Sequence, residues 1–125
     1  MRITKEVAPP HSVILISEPG KGDVPPSLSG SLIAATDSCI AVGCRAEVDG
    51  PTEFVLGAIE DVDNGEPPTF SGALETPHGI VSLQNVYNES IAEMAVASTQ
   101  TAVSIWLNDP NGPDKVVVGL DASES

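Results

Sequence analysis

The sequence predicts an all-β fold, an antiparallel β-sandwich of about seven to nine strands with at most one short helix. Three observations lead there. The apolar residues, 41% of the chain, fall in short runs dominated by Val, Ile, Leu and Ala. Eleven Gly and eleven Pro stand mostly between those runs, as turn punctuation. Several runs alternate apolar and polar residues with period two, the spacing of a strand covered on one face. A chain of 125 residues is the size of one domain, taken as 1–125, and buries a core without disulfide or metal staples.

In chain order the candidate strands are 2–7, 13–17, 30–36, 39–48, 52–59, 70–75, 80–86, 101–107 and 116–120. The second carries Val13, Ile14, Leu15 and Ile16 without a polar break, so it reads as a central strand covered on both faces. In 52–59, Phe54, Leu56 and Ala58 share a face. In 101–107, Val103, Ile105 and Leu107 share one and leave Trp106 on the other. Segment 88–100 admits two readings. Ser90 followed by Glu93 fits a helix capping box in an Ala- and Glu-rich stretch. A strand with Ala92, Met94 and Val96 inward is favoured, because strands flank it on both sides.

Two internal echoes run through this pattern. Pro25-Pro26-Ser27-Leu28-Ser29-Gly30-Ser31-Leu32 matches Pro67-Pro68-Thr69-Phe70-Ser71-Gly72-Ala73-Leu74 at five of eight positions. Asp49-Gly50-Pro51 through Val55 and Gly57 is echoed by Asn111-Gly112-Pro113 through Val117 and Gly119. The offsets differ, so a duplication requires an insertion between them, whereas shared turn chemistry explains the Gly and Pro matches directly.

Cys39 and Cys44 lie in one apolar run. An odd spacing of five along a strand sends the two sulfurs to opposite faces, roughly 16 Å apart. A disulfide requires Cα atoms within about 7 Å, so two buried, reduced thiols are expected. No segment approaches the roughly 20 apolar residues of a membrane helix, and residues 1–10 lack a signal-peptide layout. A cytoplasmic protein is the expectation.

The formal net charge is −13, from 18 acids against 5 bases. Between Ala46 and Asp114 there are twelve acids and no Lys or Arg. Such a chain repels nucleic acid and anionic membranes and attracts a basic protein or a cation. The acids Glu60, Asp61, Asp63 and Glu66 crowd one turn-rich segment and are the candidate partner-binding residues. The competing explanation of the charge is solubility alone.

Tests for chemistry fail in turn. Counted as an EF-hand from Asp61, Gly65 falls one place early and position twelve is Gly72 where a bidentate Glu is required. A looser calcium site would draw on Asn108, Asp109 and Asp114 if the loops share an end. Zinc needs at least three clustered ligands, and His11 and His78 stand alone in loops. Neither Leu28-Ser29-Gly30-Ser31 nor Phe70-Ser71-Gly72 forms a nucleophile elbow. Gly20-Lys21-Gly22 is too short for a phosphate loop. No catalytic residue, metal or cofactor is assigned. An enzyme would require His78 and a nearby acid or serine to line a pocket.

The order of segments resembles a group of bacterial proteins related to the competence nuclease inhibitor. The resemblance is carried by 30–36 and 39–43 as a hairpin and Gly50-Pro51-Thr52-Glu53-Phe54-Val55-Leu56 after it. A second hairpin spans 74–83, followed by Ser104-Ile105-Trp106-Leu107 and Lys115-Val116-Val117-Val118-Gly119-Leu120. It spans most of the chain as a pattern of strands and turns. It implies an antiparallel sandwich acting as an inhibitor or immunity protein, with no single residue carried over as an inhibitory contact. Together with the charge, the expected function is a non-catalytic interaction protein that binds a basic partner such as a nuclease or toxin. The alternative is a small ligand- or cation-binding module. A homo-oligomer is compatible with the sequence.

Overall fold

Period-two alternation produces ten strands in the computed structural model, which describes residues 2–18, 33–44, 47–63, 65–87, 89–96, 99–108 and 113–121. In chain order they are β1 (Arg2–Val7), β2 (Val13–Ser17), β3 (Ile33–Ala35), β4 (Ile40–Gly43), β5 (Thr52–Ala58), β6 (Phe70–Glu75), β7 (Ile80–Gln84), β8 (Ser90–Ala95), β9 (Gln100–Leu107) and β10 (Lys115–Asp121). One helical turn, α1 (Ile59–Val62), follows β5, and 3₁₀ turns occupy Pro10–Ser12 and Glu47–Asp49. The strands form two five-stranded sheets. One has the order β1-β5-β10-β9-β6 and the other β3-β4-β2-β7-β8.

The two sheets share one apolar core. From the first sheet come Phe54 and Leu56 of β5, Val103 and Ile105 of β9, and Val116 and Val118 of β10. From the second come Ile14 and Ile16 of β2, Ile40 and Val42 of β4, and Leu83 of β7. Each such side chain contributes about 1.5–3 kcal/mol on burial. β2 sits in the middle of its sheet. Its alternate residue Leu15 packs with Cys39, Ala41 and Val13 on the outer face, which explains a strand apolar on both sides. Trp106 likewise faces outward from β9 and joins Val55, Val62, Ile59 and Val117. Cys44 belongs to the shared core and Cys39 to the outer cluster, and neither is bridged.

Four expectations are corrected. The strands number ten among the described residues, more than the seven to nine expected, and they are not all antiparallel: β10 runs parallel to β5. The strand expected at 39–48 covers only Ile40–Gly43 among the described residues, and Glu47–Asp49 forms a 3₁₀ turn. Among the described residues the one short α-helix lies at Ile59–Val62 and not in 88–100, the segment where the sequence offered a helix. Segment 88–100 holds β8, the strand favoured there, which pairs antiparallel with β7 and buries Ala92 against the core. The capping-box pair is thus overridden by cross-strand packing, as propensity often is.

The parallel pair also accounts for one echo. Its register places Glu53 beside Lys115, Val55 beside Val117 and Gly57 beside Gly119. The echoed strand residues Val55 and Gly57 therefore lie next to their counterparts at the same height in the sheet, with the same sheet faces above and below; Asn111 and Gly112 of the echo lie outside the described residues. A shared environment selects similar residues there. For the other echo, the first copy lies outside the described residues.

Candidate functional site

The acidic segment is placed by α1. Ile59 and Val62 stand three residues apart on one side of the turn and dock on the outer face of the first sheet. Docking is close because Gly119 of β10 has no side chain. A Cβ there would stand 3.0 Å from Val62 Cγ2, 3.1 Å from Trp106 Cζ3 and 3.3 Å from Ile59 Cα. The connection then runs back over the sheet, tied by Trp106 Nε1–H donating to the Glu66 carbonyl at 2.9 Å. Asp63 Oδ1 accepts the Gly65 N–H at 2.8 Å, and Gly65 takes φ +87°, which closes the bend.

Glu60, Asp61, Asp63 and Glu66 are all exposed on this one loop. Beneath it is a cavity of about 320 Å³, with Val55, Val117 and Trp106 at its apolar wall and Glu66, Asn108 and Lys115 among its polar lining. The loop does share an end with the β9–β10 connection, where Asn108 Nδ2–H donates to Asp114 Oδ1 at 2.6 Å. Among the described residues no three His, Cys, Asp or Glu side chains come together as a metal site; Asp109 lies outside those residues.

A second polar constellation escaped the sequence reading. Glu18, only 3% exposed, follows β2 and faces the β6–β7 turn. Its carboxylate accepts the His78 backbone N–H at 2.6 Å and His78 Nδ1–H at 2.9 Å. Burial alone would push this carboxyl up. The His78 ring and backbone N–H bonds, the charge of His78 when protonated, and the Ile80 N–H outweigh that and hold it below its ordinary value. Around it, Gln84 Nε2–H donates to Ser17 Oγ at 2.9 Å, and Ser17 Oγ–H donates to the Glu18 carbonyl.

This pairing is the acid that an enzyme reading of His78 required. The carboxylate fixes the ring through Nδ1 and leaves Nε2 outward, with His78 67% exposed. Ser17 is engaged elsewhere, and neither residue lines the cavity. Chemically the dyad orients an imidazole; among the described residues it presents no nucleophile. The one sequence signal for Glu18 is an acid directly after an unbroken apolar strand.

The fold and these sites define an all-β protein of two five-stranded sheets with an acidic loop laid across one outer face. A solved structure with this fold is that of ComJ, inhibitor of the DNA degrading activity of NucA, from Bacillus subtilis. It superposes with a TM-score of 0.66 at 7% identity, over 96% of this chain and 95% of that one. No family model and no curated protein sequence matches the chain. Among the described residues no helix is long and apolar enough to cross a membrane.

Proposed function

We propose that this protein is a non-catalytic, inhibitor-type binding protein whose partner is a basic protein of the nuclease or toxin class. The observation that carries the reading is the likeness in fold to ComJ over nearly the whole of both chains. The net charge of −13 supports a cationic partner, since complementary fields steer association. The exposed acids Glu60, Asp61, Asp63 and Glu66 are the proposed steering contacts. The layered sheets act as one β-sandwich domain over 1–125, in a cytoplasmic setting.

The test is inhibition. Purified protein is titrated into nucleases fractionated from the native host, and degradation of plasmid DNA is followed. Stoichiometric loss of one basic nuclease's activity is expected. If every fraction degrades DNA equally with and without the protein, and no basic partner is retained by it, the reading is wrong.

A ligand-binding module is the second reading, and the cavity beside Trp106 favours it. Its volume of about 320 Å³ is at the lower end of ordinary ligand sites.

A further inference from the structure

Among the described residues two large apolar side chains stand exposed, Val48 at 89% and Tyr87 at 62%. The topology gathers both at one end of the molecule. Val48 lies in the 3₁₀ turn before β5, which packs against the 3₁₀ turn before β2. From that second turn His11 meets Tyr87. Its Nε2 is 3.3 Å from the phenol oxygen, and the rings are edge to face with centroids 6.1 Å apart.

The backbone that presents these groups is held against its preference. His11 and Ser12 both adopt positive φ, 60° and 61°, a region that residues other than glycine seldom occupy. The turn is tied down on both sides: Ser12 N–H donates to the Pro9 carbonyl at 3.1 Å, and Cys44 N–H donates to the Ser12 carbonyl at 2.9 Å. Such strain persists only where the surroundings over-determine it, and it concentrates at functional surfaces.

Tyr87 is fixed just as firmly. The buried Asn85 accepts the Tyr87 N–H at 2.8 Å and the Glu89 N–H at 3.1 Å through Oδ1, and its Nδ2–H donates to the Glu89 carboxylate at 2.7 Å. An aromatic side chain held in solvent on a pre-ordered turn loses little freedom on binding, which is the property of an interface anchor. Exposed Asp49 follows Val48 directly, and exposed Glu89 lies two residues after Tyr87. A second copy is a poor occupant, because each chain carries a net −13 and like fields repel.

We propose that His11, Val48 and Tyr87 form the docking surface for a basic protein. Tyr87 is the anchor in an apolar recess of the partner, and Asp49 and Glu89 meet its cations at the rim. The inference rests on the partner-binding reading above and adds to it: the acidic loop steers, and this end of the molecule docks.

The test places the photo-crosslinker p-benzoylphenylalanine in the full-length chain at Tyr87, at Glu60, or at the exposed Ser71 of β6 as a control. Each protein is irradiated in extract of the native host, adducts are identified by mass spectrometry, and the joined protein is purified for binding. One basic protein joined at Tyr87 and absent at Ser71 is expected. Tyr87→Ala should then weaken its binding by about 10- to 100-fold, with Tyr87→Phe close to wild type. If the same basic protein is joined only at Glu60 and Tyr87→Ala binds normally, the docking surface is refuted while the basic partner stands. No basic protein at any position removes both. An adduct between two copies makes a second chain the occupant and overturns the proposal.

Discussion

Glu18 holds His78 twice, through its backbone N–H and through Nδ1, and so ties the end of β2 to the turn between β6 and β7. The carboxylate is buried while the imidazole is in solvent. Replacing the carboxylate by an amide therefore leaves one acceptor oxygen for two His78 N–H donors and turns an NH2 group toward the other.

Glu18→Gln should destabilise the fold by about 1–3 kcal/mol at neutral pH, the cost of an ill-matched buried hydrogen-bonding group. The folded carboxyl titrates below its ordinary value of 4.5. Its contribution is thus complete above that value and disappears as pH falls through the lower, folded one. Urea denaturation of wild type and Glu18→Gln should differ at pH 7 and converge in stronger acid. A gap that persists unchanged at the acid end would show that the carboxylate charge is not what matters.

Gly119 and Gly65 separate two reasons for glycine. At Gly119 a methyl group meets Val62, Trp106 and the Ile59 backbone, so Gly119→Ala should cost about 1–3 kcal/mol by overpacking and shift Trp106 emission. At Gly65 nothing lies within 4 Å, but φ is +87°. Gly65→Ala should cost roughly 1–2 kcal/mol through the backbone alone. Fluorescence and thermal melts decide it: equal emission spectra for both variants would mean that α1 does not dock on Gly119.

Most of the fold was legible because burial is written in periodicity. The unbroken run at Val13–Ile16 marked the central strand, and alternation in β9 put Trp106 opposite Val103 and Ile105. What periodicity does not encode is which strands meet. The parallel pairing of β5 with β10 joins segments some sixty residues apart, and only the echo between them hinted at it. Helix α1 is too short to show a helical period, and its docking depends on a glycine in a distant strand. The acidic loop was visible as a composition. The Glu18–His78 pair was not, since neither residue carries a local pattern that points to the other.

Core facing is tested at β9. Val103→Ala and Ile105→Ala should each cost about 2–4 kcal/mol, because both side chains are buried between the sheets. Val48→Ala, at an exposed turn, should stay within about 0.5 kcal/mol. Chemical denaturation of the three variants suffices. Small losses at both β9 positions would mean that this strand presents its other face to the core.

Both thiols should remain reduced in the folded protein and react slowly with a thiol reagent until it unfolds. Cys39 and Cys44 are buried in different clusters, Cys39 outside the second sheet and Cys44 in the shared core. Burial keeps the reagent from reaching either sulfur until the chain opens. Intact mass after mild oxidation should show no loss of two hydrogens in folded material. An intrachain bridge would contradict the placement of the two sulfurs in separate apolar layers.

Steering by the acidic loop should appear in rates. Glu60, Asp61, Asp63 and Glu66 are exposed on one connection, so their field reaches solvent and is screened there. The Debye length falls from about 10 Å at 0.1 M salt to about 3 Å at 1 M. Association with the proposed basic partner should therefore slow markedly across that range. Replacing the four acids by their amides should lower the association rate more than it raises dissociation, because rim charges act on encounter and buried contacts set lifetime. Stopped-flow kinetics at several salt concentrations make the measurement. An on-rate indifferent to salt and to all four substitutions would return these acids to a role in solubility alone.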